Sequence, residues 1–259
     1  ISIASAQLFG LKANLYQQTP QSKHNFQFVL DSLASKDTTK HTPLDLHIGS
    51  LIIRHGAVKY DKRYIASKSG VFSPAHISIS DLSTHIIANH ITDDAINLHI
   101  KKLAFHDKSG LQLNSLSFKL DANKREASLK EFELQLPHSD ITLGDIHATY
   151  RFDNGKLVMP SLQYSGSIEQ SKITLSDIAC LLPIFRHFED AVFFETQFTG
   201  TSTSLRCQKI NFKTGSGSIN LQAKGRISDW NSRPAWDVDI ANLNLTEKSI
   251  SFISHNLGK

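Results

Sequence analysis

The sequence predicts an all-β protein: an elongated, curved, mostly antiparallel sheet forming a half-pipe groove with an apolar interior, plus one or two short helices. Three observations carry this. Period-2 alternation of apolar and polar residues runs through most of the chain, as in strands with one dry and one wet face. Apolar residues make up 40% and charged residues 20% of the 259 positions; Ser, Thr, Asn and Gln fill the rest, which suits many strands joined by polar turns. Finally, the spacing apolar-x-apolar-x-x-apolar-x-apolar recurs along the chain, the mark of a repetitive β architecture.

In chain order, that spacing occurs at Ile1, Ile3, Ala6, Leu8 and at Leu46, Ile48, Leu51, Ile53. It returns at Ile77, Ile79, Leu82 (with Thr84 in the last slot), then at Leu98, Ile100, Leu103, Phe105 and at Leu111, Leu113, Leu116, Phe118. The last copies are Ile141, Leu143, Ile146, Ala148 and Val238, Ile240, Leu243, Leu245. A two-residue gap in a regular strand throws its second half onto the opposite face. A bulged extra residue restores the face and bends the strand, so the repeat predicts a bent sheet with one continuously apolar side.

Between these units, Asn25–Ala34 spaces Phe26, Val29, Leu30 and Leu33 as a helix does, and Ser35–Thr42 reads as a loop. Lys108–Gly110, Asp121–Glu126 and Thr214–Gly217 read as turns, and Lys130–Leu136 alternates cleanly. Asn154-Gly155 predicts a tight hairpin between Ile146–Phe152 and Lys156–Met159. Ser176–Phe188 reads as a helix capped by Ser176, with Ile178, Leu181, Leu182, Phe185 and Phe188 on one face; Pro183 kinks or breaks it. The expected organisation is one repetitive β-groove segment over 1–259, with sub-units 1–45, 46–172 and 173–259.

The chemistry the residues argue against is equally specific. With 28 Lys+Arg against 24 Asp+Glu, scattered along the chain, the net charge of +4 makes no nucleic-acid surface. The 13 histidines lack ligand spacing: His85 and His90 are five apart, His99 and His106 seven, so no metal is expected. Cys180 and Cys207 could pair in an oxidising compartment, but Cys180 sits in an apolar run and reads better as a buried free thiol, and Cys207 has no His partner in sequence. Asp237 and Asp239 alternate with Trp236, Val238 and Ile240, as on a solvated strand face. No catalytic residue and no cofactor is assigned. No apolar stretch approaches the ~20 residues that span a bilayer. The opening at Ile1, inside a strand-like pattern, reads as an excised segment of a longer protein.

Several stretches resemble the AsmA/TamB superfamily, closest to the N-terminal part of TamB-like proteins of the Bacteroides group. They are Ile1–Tyr16, Asn25–Leu33, Leu44–Tyr60, Ile173–Pro183, Phe198–Thr201 and Ile219–Gly225, so the resemblance runs over nearly the whole chain. It rests on the order of the segments, since each is mostly strand alternation punctuated by Gly and Asp. The resemblance implies a periplasmic β half-pipe in a Gram-negative bacterium, held in the inner membrane by an N-terminal helix outside this sequence. It also implies lipid transport between the two membranes. For TamB members it adds assembly or translocation of outer-membrane proteins beside a barrel partner.

The residues agree with the physical part of that picture. An apolar sheet face must pack against something or be left for a ligand, and acyl chains ask only for a dry, continuous track. The expected lining is Leu98, Ile100, Leu111, Leu113, Phe132, Leu134, Ile141, Leu143, Leu221 and Ile240. Ile178, Leu181, Leu182, Phe185 and Phe188 are expected to cap the groove. Lys101, Lys119 and Lys130 are rim candidates for phosphate head groups, though solvated surface lysines fit them better. The expected partner is a phospholipid or another lipid's acyl chains. A strand-presenting scaffold and a carbohydrate-active enzyme are the competing readings.

Overall fold

A computed structural model of the chain describes residues 2–27, 45–188, 190–250 and 254. Its strands are β1 (Ser2–Ile3), β2 (Ala6–Phe9), β3 (Lys12–Gln17), β4 (Asp45–Lys62), β5 (His76–Thr92) and β6 (Ala95–Asp107). They continue with β7 (Gln112–Asn123), β8 (Glu126–Gln135), β9 (Asp140–Leu143), β10 (Ile146–Thr149), β11 (Phe152–Asp153) and β12 (Lys156–Leu157). The last five are β13 (Gln163–Ile173), β14 (Val192–Thr201), β15 (Ser204–Thr214), β16 (Ile219–Ser228) and β17 (Ala235–Leu245).

Fifteen of these form one sheet. From β4 to β17 neighbours in sequence are neighbours in space, an antiparallel meander in which β9 and β10 together bridge β8 and β13. The first edge is the exception: β1, β2 and β3 lie end to end along β4 and parallel to it. The architecture is therefore the all-β sheet the alternation predicts.

The recurring two-residue gaps are bulges or breaks. On β4, Gly49 and Ser50 stand between the pairs Ile48–Ala88 and Leu51–Ile86, so two residues oppose one. The same happens at Lys101–Lys102 on β6 and at Asn114–Ser115 on β7. Gln208–Lys209 on β15 and Ala241 on β17 repeat it. Between β9 and β10 the gap at Gly144–Asp145 interrupts the strand altogether. Three bulge residues, His55, Asp81 and Glu131, adopt positive φ of 53°, 51° and 52°, which re-aims the strand without a glycine. Gly49 is a glycine for a different reason: a Cβ there would strike the carbonyl oxygen of Ala4, where β1 breaks before β2.

Two connections differ from expectation. Asn154 (φ 48°) and Gly155 (φ 75°) do make the tight turn, but its strands β11 and β12 are two residues each and form a separate ribbon. The preceding strand β10 pairs with β8 and β13 instead, because its apolar residues belong to the large face. Residues 176–188 form no α-helix; they make two 3₁₀ turns, Leu175–Ile178 and Pro183–His187, with Pro183 starting the second. Thr174, not Ser176, occupies the N-cap position. Of the expected helix Asn25–Ala34, the part beyond residue 27 lies outside the described residues; Asn25 itself ties β3, its amide donating to the Asn14 carbonyl at 2.8 Å.

Few apolar side chains are fully buried. Among the described residues they are Ala88, Ile100, Leu113, Leu136, Cys180, Phe188, Val192 and Ala223. The accessible surface is 16606 Å², against about 11,400 Å² for a compact monomer of 28.9 kDa. A single curved layer accounts for the sparse burial: among the described residues no second layer packs on its apolar side.

Candidate functional site

The register puts the apolar residues of successive strands opposite one another on one face. Leu98 stands opposite Leu120 and Ile100 opposite Phe118; Leu113 faces Phe105. Leu134 sits between Leu116 and Ile141, and Leu143 between Phe132 and Ile168. Farther on, Leu221 lies between Phe212 and Leu243, and Ile240 opposite Ala223. Nine of the ten expected lining residues thus share this face. Leu111 does not join a strand: it sits in the β6–β7 turn, its carbonyl accepting the Asp107 N–H at 2.8 Å.

The same register adds residues absent from the expected lining, among them Tyr164, Ile168, Phe194, Phe198, Phe212 and Trp236. Their alternation is visible in sequence; the bulge at Glu169–Gln170 hides its phase. Small and large residues interleave here. A Cβ at Gly200 would meet the Tyr164 ring, so the glycine makes room for the ring to lie across it. Tyr164 and Phe198 meet edge-on at 6.2 Å, and Phe118 and Phe132 stack at 6.3 Å. Most of these side chains are half-buried, walled by neighbours but open above.

Two buried threonines on this face are satisfied locally. The Thr84 hydroxyl donates to the Lys102 carbonyl at 2.9 Å, and the Thr196 hydroxyl to the Lys209 carbonyl at 2.7 Å. Both carbonyls belong to bulges, whose ladder bonds are disrupted. The face therefore stays dry in character despite its threonines.

One rim is built up by the connection between β13 and β14. Asp177, its side chain 3% exposed, accepts the His138 N–H at 3.0 Å and the Ser139 hydroxyl at 2.6 Å, and its other oxygen lies 2.9 Å from His138 Nδ1. This anchors the segment on the β8–β9 turn. Next, Cys180 reaches the β6–β7 turn beside Ser109, and its carbonyl accepts the Phe72 N–H at 2.8 Å from the β4–β5 connection. The chain then doubles back, Ser176 N–H donating to the Phe188 carbonyl at 3.1 Å.

Of the expected cap residues, Phe188 is buried, Ile178 and Phe185 are half-buried, and Phe185 meets Phe188 edge-on at 5.5 Å. Leu181 and Leu182 point to solvent, 43% and 50% exposed. That is a correction, and its cause is the break in the segment: Leu181 and Leu182 lie between the two 3₁₀ turns, so no continuous helical face carries them. The opposite rim has tight turns at Asp93–Asp94, Lys124–Arg125 and Ser202–Thr203.

The other face is polar. Lys119 and Glu131 pair at 2.5 Å, Lys209 and Glu195 at 2.5 Å, and Lys224 and Asp239 at 3.0 Å. Lys119 lowers the Glu131 carboxyl, and Lys209 with Asn211 lowers that of Glu195. His99 is held below its usual value by burial first, then by Lys119 and Lys101. A cleft of about 460 Å³ here is lined by Asp121, Glu126 and Asp145 with His90, Lys130 and His147. The ionic contact in it, His147 to Glu126 at 4.0 Å, joins two half-exposed groups. Among the described residues no group of three or more His, Cys, Asp or Glu is placed to hold a metal ion. Both cysteines are free; burial pushes the Cys180 thiol up, while Cys207 lies on the apolar face opposite Phe198 and Gly225.

No protein-family model, curated protein or solved structure matches this chain.

Proposed function

We propose that the chain is a periplasmic segment of a lipid conduit of the AsmA/TamB kind, its apolar face shielding acyl chains in transit between the inner and outer membranes. The observation that supports this best is the apolar face itself: continuous from β4 to β17, half-open to solvent, with its buried Thr84 and Thr196 hydroxyls bonded to bulge carbonyls. An acyl chain laid across such a face gains about 0.8 kcal/mol per CH₂ removed from water. It needs no polar code, and the interleaved rings and glycines supply none. Bending by bulges keeps every strand's apolar side turned inward, which an untwisted strand with two-residue gaps would not. In this reading no residue is catalytic; the site is a stripe. Inner-membrane anchoring and a barrel partner belong to the family expectation.

A second reading has its own observation. The fully exposed strand β17 favours a scaffold that presents an edge for strand addition during outer-membrane protein assembly.

Native mass spectrometry with organic extraction of the purified chain tests the conduit. Co-purifying phospholipid that a Leu143→Asp variant loses, with its fold intact by circular dichroism, is the expected result. A lipid-free mass for the parent chain, also after incubation with phospholipid vesicles, would sink the conduit and leave the scaffold.

A further inference from the structure

We propose that the cavity between the β4–β5 connection and the adjoining strand ends is a phosphate-binding site, formed by Lys59, Lys68 and Lys108 around His76. Its volume is about 430 Å³. Strand β4 pairs Lys59 with Ser78 and Asp61 with His76 on β5. Just past β6, the Lys108 N–H donates to the Ser78 carbonyl at 3.0 Å, and the connection itself supplies Lys68. Three cations thus border one cavity from three separate parts of the chain. Among the described residues none of them pairs with a carboxylate.

His76 is the second, independent sign of an occupant. Its Nδ1 lies 2.7 Å from Asp61 Oδ1, so the one carboxylate in the cavity wall is already engaged. At the other end of the ring, Nε2 is buried and has no hydrogen-bond partner, in a side chain only 17% exposed. A buried polar atom left unpaired is costly, and folded proteins satisfy nearly all of them. With three lysines against one aspartate in the wall, the missing partner is an anion.

A phosphate group suits both features. Its oxygens accept from ammonium groups in several directions at once, and lysine binds phosphate as a point charge. Near neutral pH part of it is monoanionic and keeps an O–H. Nε2 is therefore served in either state of the ring: a phosphate oxygen accepts from the imidazolium, and the phosphate O–H donates to the neutral imidazole. Sulfate and ionised carboxylates offer acceptors alone. The cavity adjoins the built-up rim, since Val71 in its wall precedes Phe72, whose N–H donates to the Cys180 carbonyl at 2.8 Å. A lipid head group and a soluble phosphate present the same chemistry there, so the inference stands without the conduit reading.

Calorimetric titration of the full chain with inorganic phosphate is expected to fill one site with a Kd of about 1 mM or tighter. Lys68→Gln with Lys108→Gln, both at exposed positions, should weaken it about tenfold. His76→Gln should do the same while circular dichroism shows the parent fold. Lys124→Gln, on the opposite rim, should leave it unchanged. Competition by phosphatidylcholine vesicles containing phosphatidic acid, a phosphate monoester, would make the source a lipid head group. Indifference to those vesicles would make it a soluble phosphate, and either result upholds the site. No binding up to about 10 mM phosphate, sulfate bound as tightly as phosphate, or an unchanged Kd in the double lysine variant or in His76→Gln would each overturn the proposal.

Discussion

The Thr196 hydroxyl donates to the Lys209 carbonyl at 2.7 Å, on the strand beside it and inside that strand's bulge. Thr84 and Lys102 repeat the relationship on β5 and β6, again with the next residue of the threonine's strand, His85 or Gln197, paired to the lysine. A buried threonine on a dry face is thus part of the bending device: it supplies the hydrogen bond that the bulge removes from the ladder.

Thr196→Val preserves shape and deletes that bond. It should cost about 1 kcal/mol, read from urea denaturation, since a carbonyl loses its partner. Thr199→Val, on the exposed face of the same strand, should stay within about 0.5 kcal/mol. Equal effects would remove the bulge-supporting role of Thr196.

Asp177 gathers the β8–β9 turn through one backbone donor and one hydroxyl donor while almost fully buried. Asp177→Ala should destabilise by about 2 kcal/mol, because hydrogen bonds to a charged group contribute more than neutral ones. Limited proteolysis should then cut between Thr174 and Phe188 before the strands. Unchanged cleavage rates would show that the segment does not depend on this anchor.

His99 is lowered in the folded state by burial and by Lys119 and Lys101. The unfolded chain therefore takes up its proton first on acidification. The contribution of neutral His99 is complete above the usual value of 6.5 and declines as pH falls below it. The melting temperature of the parent should drop more steeply between pH 7 and pH 5 than that of His99→Gln. Parallel profiles would assign the acid sensitivity elsewhere.

The two thiols should react in separate phases. Cys207, half-buried on the apolar face, should label readily with a small apolar thiol reagent, and Cys180, buried and with its thiol pushed up, only on unfolding. Acyl chains bound on the face should slow Cys207 alone. Labelling of Cys207 that is indifferent to saturating lipid would place any bound lipid away from β15.

Much of this is legible in the residues. Spacing alone places Leu98, Ile100, Leu113, Leu143 and Ile240 on one face, because side-chain direction in a strand depends on local backbone geometry. The bulge sites are legible for the same reason: the alternation through Leu46 and Ile48, interrupted at Gly49–Ser50, keeps its face only if a residue is extruded. Spacing misplaces Leu181 and Leu182 because a helical face needs an unbroken helix, and here the chain is broken between two 3₁₀ turns, the second started by Pro183.

Alternation, the bulge positions and the dry face were determined by the sequence itself, as properties of a few adjacent residues. The tertiary structure alone decided that β1–β3 run parallel to β4, that Asp177 and Cys180 reach turns far off in the chain, and that β17 stands exposed at the end of the sheet. Those outcomes depend on contacts between residues distant in sequence, where many pairings satisfy the same local pattern and only simultaneous packing of the whole sheet selects one.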